Sequence, residues 1–492
     1  MIASEIREKY QVVIGLEVHA QLATESKIFS PDPNAFGSEP NTNIHVISLG
    51  HPGVMPLLNK KAVEYAVMMG IATGCEITRF GFFDRKNYFY PDLPKGYQIT
   101  QDKTPICTKG SLEVELKDGS LFKVLINRIH LEEDAGKLIH LNNEKDSLVD
   151  LNRAGVPLIE IVTEPCIHSS KAASAFLTEI RKIVRYLHIC DGNMDEGSLR
   201  CDANVSVMLK DAKEFGKKVE VKNMNSIKNV AKAIEHEVER QIELLEDGDE
   251  IISETRTYDV TTGKTYGMRT KEELNDYRYF PEPDLSPLEI SDEWLNQIKS
   301  KISILPNELR IELETQYGLA PEDAIQLTAQ KDYGLYYKEI CKYTDNYKSA
   351  ANWFMGPIKT YVKEKGISLS EFPLSHQQIA DLIALIGGGK VSYSAASQQL
   401  FPYLLKHPEE SIEEAVGHLN IGLESDSGSI QSTIDEVIAA SPDKVKAYNN
   451  GKKGLIGMFM GEVMKKTNGK VDPQLANKLL KETLEKKHEK IK

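Results

Sequence analysis

A chain of 492 residues, 41% hydrophobic and 27% charged, is too long for one ordinary core, and its composition is that of a globular protein of roughly two to four domains. The cysteines (Cys75, Cys107, Cys166, Cys190, Cys201 and Cys341) form no CxxC pair and no short secreted-type framework. That excludes a disulfide scaffold, gives no zinc site from spacing, and fits a reducing, cytoplasmic setting.

The N-terminus, MIASEIREKY, carries acids and no apolar h-region, so no secretory or transit segment is expected. No run approaches the ~18 apolar residues of a membrane span, and no membrane partner is expected. The net charge of −13 disfavours a nucleic-acid partner until its distribution is read. From residue 443 to 492 there are 13 Lys against 6 Asp and Glu, an excess of +7 that leaves −20 on the rest. An acidic body with a basic tail suits a tethered phosphate-binding module, although a lysine-rich helix face in solvent has the same composition.

In chain order, residues 12–22 alternate strictly. Ile14, Leu16, Val18 and Ala20 point one way, and Gly15, Glu17, His19 and Gln21 the other. This predicts a half-buried strand whose polar face carries a carboxylate beside an imidazole, a pair able to share a metal ion or act as acid and base. Residues 84–101 (DRKNYFYPDLPKGYQITQ) mix Arg85, Lys86 and Lys95 with tyrosines. Such interleaving suits a nucleotide base or an RNA end, through stacking and phosphate contacts, or a tyrosine-rich packing loop.

Residues 124–134 run from an alternating strand into the acids Glu132, Glu133 and Asp134. The sequence Leu-Ile-Glu-Ile-Val at 158–162 buries Glu160 in an apolar strand, at a cost on the order of several kcal/mol unless a cation or an arginine meets it. Residues 199–207 alternate again, with Arg200, Asp202 and Asn204 on one face, and residues 219–222 place Glu220 and Lys222 together. Helical spacing is expected over 171–187 and over 226–245, the latter capped by Ser226. Residues 276–284 (DYRYFPEPD) are held extended by prolines. Strands outnumber helices in this half, which predicts an α+β fold with a largely antiparallel sheet over residues 1–297.

From about Trp294 nearly every segment reads as helix. A helical domain is expected over 298–412, with a loop at 368–373 and a capping box at Ser375 and Gln378. A small basic helical tail follows over 413–492, with a flexible joint at 425–428 and a last helix capped by Asp472 with Pro473 at its first position.

Several strands thus each contribute acids to a common polar face, with Arg200 and Lys222 interspersed. Oxygen-rich ligation with few imidazoles and no thiolate suits Mg²⁺ or Mn²⁺ better than zinc. Mg²⁺ beside a basic fringe is the setting for phosphoryl transfer, so a sheet-floored ATP site is expected. It is not a P-loop: Gly263-Lys264-Thr265 has Tyr258 where the first glycine belongs, and Gly389-Lys390 has Ala384 there and Val391 after the lysine.

The blocks GLEVHAQL (15–22), DRKNYFYPDLPKGYQI (84–99), EEDAGK (132–137), LVDLNRAGVPLIEIV (148–162), EGSLRCDANVS (196–206), VKNMNS (221–226) and DYRYFPEPD (276–284) resemble the B-subunit family of the bacterial-type tRNA-dependent Asp/Glu amidotransferases. The resemblance runs in order over the whole chain. It implies a glutamine-synthetase-like cradle domain and an ATP-dependent ligase: the side-chain carboxylate of Glu or Asp misattached to glutamine or asparagine tRNA is activated as an acyl phosphate, which ammonia converts to the amide. It further implies that Glu17, His19, Glu133 and Glu160 lie at the Mg²⁺ and phosphate site, with Glu132, Asp202 and Glu220 near them. Arg85, Lys86 and Tyr90 would contact ATP or the acceptor end, and the tail would grip the tRNA.

Ammonia drawn from glutamine needs an activated Cys or Ser nucleophile, and no such context is recognisable here. The resemblance implies that a partner supplies it, an amidase-type A subunit braced by a small C subunit in a heterotrimer. Three other readings compete. The archaeal-type E subunit carries an inserted domain that this chain has no room for. A non-catalytic tRNA scaffold has no use for acids facing RNA phosphate, and a metal-dependent phosphohydrolase has no reason for the basic tail.

Overall fold

The computed structural model describes residues 2–116, 118–141, 146–270, 277–422, 427–467, 471 and 473–489. They fall into two compact units, Met1–Pro306 and Asn307–Lys492.

The first unit is built on a nine-stranded sheet. From one edge to the other its strands are Lys264–Thr270, Glu254–Asp259, Val219–Lys222, Leu199–Leu209, Tyr10–Gln21, Pro157–Thr163, Leu121–Glu133, Cys107–Glu115 and Glu76–Ile77. Every pairing is antiparallel except that of Val219–Lys222 with Glu254–Asp259. The α+β class with a largely antiparallel sheet is therefore what forms.

Period-two alternation gives this sheet one apolar and one polar face. Ile14, Leu16, Val18, Ala20, Val205 and Ile161 are all at most 1% exposed. Against the apolar face lie the helices Lys60–Ala72, Ser170–Tyr186 and Ile227–Glu246. The last two start where their caps dictate: Ser169 Oγ accepts from the Ala172 N–H at 3.1 Å, and Ser226 Oγ from that of Asn229 at 3.2 Å.

Helix Lys60–Ala72 gave no amphipathic signal because it is apolar nearly all round: Ala62, Val63, Ala66, Val67 and Met69 are fully buried. Gly70 lets it approach the sheet, since a Cβ there would lie 2.3 Å from Cys107 Sγ. On the third helix, Ile234→Ala deletes a fully buried side chain. It is expected to cost about 2–5 kcal/mol, read as a lowered denaturant midpoint of the first unit.

One irregularity governs the polar face. Val162 opposes Arg128 but Thr163 opposes Ile126, leaving Asn127 as the extra residue of a β-bulge. Before it Val124 and Ile126 point into the core; after it Ile129 and Leu131 do. The switch sends Arg128, His130 and Glu132 to the polar face.

The first unit runs to Pro306 and takes in the helix Asp292–Lys301. Trp294 Nε1 and Lys301 Nζ donate to Glu64 at 3.3 and 3.0 Å, and Ile298 is fully buried.

The second unit is helical in its described residues. Ser375 and Gln378 form the expected capping box around His376–Gly387, and the 368–373 loop contains a short turn, Leu369–Glu371, with its own box from Ser368 and Glu371. Pro357, which lacks an N–H, sits in a π-helical step, Phe354–Ile358. The tail has its own core, in which Ile430, Ile434, Phe459, Val463, Leu480 and Leu484 meet from helices Ser427–Ala439, Ile456–Lys466 and Pro473–Glu489. Ser425 of the expected joint and the expected cap Asp472 lie outside the described residues, as does Asp276 at the start of the 276–284 block.

Candidate active site

Residues directly opposed on paired strands share a face, so the register names the neighbours on the polar side. One row across four strands reads Arg200, His19, Glu160, His130; the next reads Asp202, Glu17, Val162, Arg128. Glu220 stands opposite Asn204, one step further.

Two groups of potential ligands result. In the first, His19 Nε2 and His130 Nε2 lie 3.2 and 3.3 Å from Glu160 Oε2, and His130 Nε2 is 3.5 Å from Glu132. Thr100 Oγ1 donates to Glu132 at 3.1 Å. In the second, Lys222 Nζ bridges Asp202 at 2.6 Å and Glu220 at 2.8 Å, while Asn204 donates to Glu17 at 2.9 Å. The ligand atoms of His19, Glu132 and Glu160, and likewise those of Glu17, Asp202 and Glu220, lie within 4.8 Å of one another. Glu17 and His19, neighbours on one strand, thus belong to different groups.

Burial drives the electrostatics. It presses the Glu160 carboxyl upward, but the His130 and His19 imidazoles outweigh it and hold Glu160 well below the usual carboxylate range. Burial works equally against charge on His130, yet Glu160 and Glu132 raise it to about 9. His19 is raised by the same carboxylates against its own burial. Glu17 goes the other way: burial first, then the charges of Glu160 and Glu220, push its proton affinity up. A cation beside Glu17 would relieve this repulsion further than Lys222 already does. One group of two carboxylates and an imidazole beside another of three carboxylates fits hard, oxygen-preferring divalent ions such as Mg²⁺.

The other sequence-nominated residues sort differently. Glu133 follows the bulge's phase to the opposite side of its strand, where Lys95 Nζ pairs with it and the Ile99 N–H donates to it at 2.8 Å. The structure does not bring it into either group. Arg85 grips Glu282 through two bonds of 2.7 and 2.8 Å and Asp284 at 3.0 Å, with its guanidinium 4.2 Å from the Tyr97 ring. It latches the proline-rich 277–284 segment to the strand Asp84–Asn87. Arg85→Met leaves the Glu282 side chain, fully buried, without its cation. The expected loss is about 3–5 kcal/mol of first-unit stability by chemical denaturation.

Lys86 has no carboxylate within 4.0 Å among the described residues. Its ammonium lies 4.8 Å from the Tyr277 ring centre, in the field of Glu132 and Glu160, which raise its proton affinity against burial. Tyr90 is 56% exposed and lines a depression with Phe89, Pro91, Leu93, Pro94 and Lys95. Arg200 donates to Asp134 at 2.8 Å, and its Nε is buried without a partner. Lys222, between two acids, is raised by them against burial.

Sequence reasoning did not single out His130 or the anchoring role of Asp134, which Gln21 and Arg200 both hold at 2.8 Å. His130 stands two residues before Glu132, the spacing of Glu17 and His19, but the bulge hides that alternation.

Comparison with known proteins agrees in extent with this architecture. Residues 12–296 match the family model described as the GatB/GatE catalytic domain, and residues 335–484 that described as the GatB domain. Over 484 residues the chain is 47% identical to a protein of Caldicellulosiruptor bescii named as the B subunit of an aspartyl/glutamyl-tRNA(Asn/Gln) amidotransferase, covering 97% of this chain and 100% of the relative. Proteins of the same name from Oleidesulfovibrio alaskensis (48% over 478 residues, 97% and 99% covered) and Trichormus variabilis (45% over 495 residues, 98% and 99% covered) are similarly close.

Proposed function

The chain belongs to the GatB/GatE family, and from that premise we propose that its polar sheet face activates the side-chain carboxylate of misacylated tRNA with ATP. As a B-type subunit of a glutamine-dependent ligase, the chain acts in the amidation of misacylated Glu-tRNA(Gln), Asp-tRNA(Asn) or both. In the proposed reaction a carboxylate oxygen of the aminoacyl group attacks the γ-phosphorus of ATP and the bond to ADP breaks. Ammonia then attacks the acyl carbon, the carbon–oxygen bond breaks with loss of phosphate, and the amide remains.

The observation that carries this reading is the pair of three-residue ligand groups lying side by side on one face. In this reading Glu17, Asp202 and Glu220, and next to them His19, Glu132 and Glu160, would hold Mg²⁺, whose chemistry is to neutralise phosphate charge. His130 orients Glu160 and Glu132. Lys86 and Arg200, whose buried Nε has no partner, offer positive charge from the side.

Glutamine hydrolysis falls to another protein. A nucleophilic thiol is activated by a depressed pKa, whereas burial pushes the thiols of Cys75, Cys107, Cys190, Cys201 and Cys341 up. An amidase-type A subunit with a small C subunit is the partner set that fits. The lysine-rich tail binds the tRNA, and the location is cytoplasmic, in line with the lack of any helix long and apolar enough to cross a membrane among the described residues.

The test is co-expression with candidate A and C subunits and assay of both mischarged tRNAs with ATP and Mg²⁺. Glutamine should serve as donor only in the complex. ATP-independent amidation by the complex would overturn the reading.

A further inference from the structure

The second unit holds a compact set of donors that the proposed reaction does not use. Tyr403 lies in the short helix Phe401–Leu404, His407, Glu409 and Glu410 follow in the connection, and His418 comes from the last turn of helix Ile412–Leu419. We propose that His407, Glu409, Glu410 and His418 bind a divalent transition-metal ion of the zinc type.

The geometry is close to a site already. One imidazole nitrogen of His407 and one carboxylate oxygen each of Glu409 and Glu410 lie within 4.8 Å of one another. His418 Nδ1 is 3.0 Å from Glu410 Oε2, and His407 Nδ1 is 3.8 Å from Glu409 Oε1. Four-coordinate zinc, with Zn–N and Zn–O bonds of about 2.0–2.1 Å, places its ligand atoms roughly 3.3 Å apart. The His418–Glu410 and His407–Glu409 separations bracket that value, and His418, which stands outside the three-residue group, needs the largest rotation to join it.

Charge points the same way. No lysine or arginine lies within 4.0 Å of either carboxylate among the described residues, unlike Glu436, which Lys466 meets at 2.7 Å. The two acids bring two negative charges, the complement of a divalent cation. Two imidazoles in the donor set select zinc-like ions over Mg²⁺.

The scaffold is held in place as well. Gln378 Nε2 donates to the Pro408 carbonyl at 2.9 Å, and Ser411 with Glu414 forms a capping box immediately after Glu410. Tyr403 Oη donates to Glu410 at 3.0 Å, and the Tyr403 ring lies 4.5 Å from that of His407. Tyr403 thereby orients two of the ligands, as outer partners do in metal sites. The bound ion would pin the connection between these two helices.

The experiment uses the full chain, stripped with a chelator and titrated with Co²⁺ in excess Mg²⁺ so that the acids of the sheet are already served. One equivalent of Co²⁺ should give the visible ligand-field absorption of a four-coordinate ion, which Zn²⁺ abolishes. His418→Ala and Glu410→Gln should each weaken binding by about tenfold or more, with helicity by circular dichroism retained, while His19→Ala leaves the band in place. Absence of the band in the native chain overturns the proposal, and so does a band that survives His407→Ala with His418→Ala or disappears in His19→Ala. Should His418→Ala lose helicity, the isosteric change Glu410→Gln decides.

Discussion

Glu160→Gln is expected to lower ATP-dependent activation of misacylated tRNA by roughly 10²–10³-fold, the largest effect of any single change on the polar face. Among the described residues Glu160 is the acid approached by both His19 and His130, at 3.2 and 3.3 Å, on the strand between theirs. An amide there removes a charge from the ligand group and leaves the two imidazoles without their shared counter-charge. Glu160 now holds both above their ordinary proton affinity, with help from Glu132, so His130 would fall back from about 9. The loss should appear in single-turnover formation of the acyl phosphate with saturating ATP. Affinity for tRNA should stay within about twofold, because the tail's lysines supply that term. Activation within a few-fold of native would remove Glu160 from the site.

The second large effect concerns the tail. Its core begins at Ile430 and ends at Leu484, so deletion of residues 427–492 removes a self-contained bundle and leaves the first unit's fold in place. Each lysine meeting a phosphate releases counterions, and the logarithm of the association constant falls by about 0.7–0.9 per contact for each logarithmic unit of salt. If roughly four of the 13 lysines of residues 443–492 make such contacts, the salt slope should flatten by about 3. Affinity at low salt should fall steeply, while ammonium-dependent turnover at saturating tRNA survives. Equilibrium binding across a salt series decides it. An unchanged slope would make the lysine face a solvated surface and nothing more.

The alternation over residues 12–22 and 199–207 was enough to put Glu17, His19, Arg200 and Asp202 on one face, because side-chain direction on a strand has period two and depends on nothing distant. The basic tail was legible too, since charge is additive along a chain, and so were the helices capped by Ser226 and Ser375, whose signals are local. Which acids meet which was not. Cross-strand register decided that Glu17 sits with Asp202 and Glu220 while His19 sits with Glu160.

One extra residue, Asn127, shifted the phase of its strand, bringing His130 and Glu132 to the site and turning Glu133 toward Lys95. Tertiary pairing also divided two adjacent cations: Glu282 and Asp284, nearly 200 positions away in sequence, engage Arg85, and Lys86 is left facing the carboxylates. The amino-acid order by itself determined the chemistry present and the face that carries it. Only the folded sheet decided the partners, because register and bulges are set by packing between segments far apart in the chain.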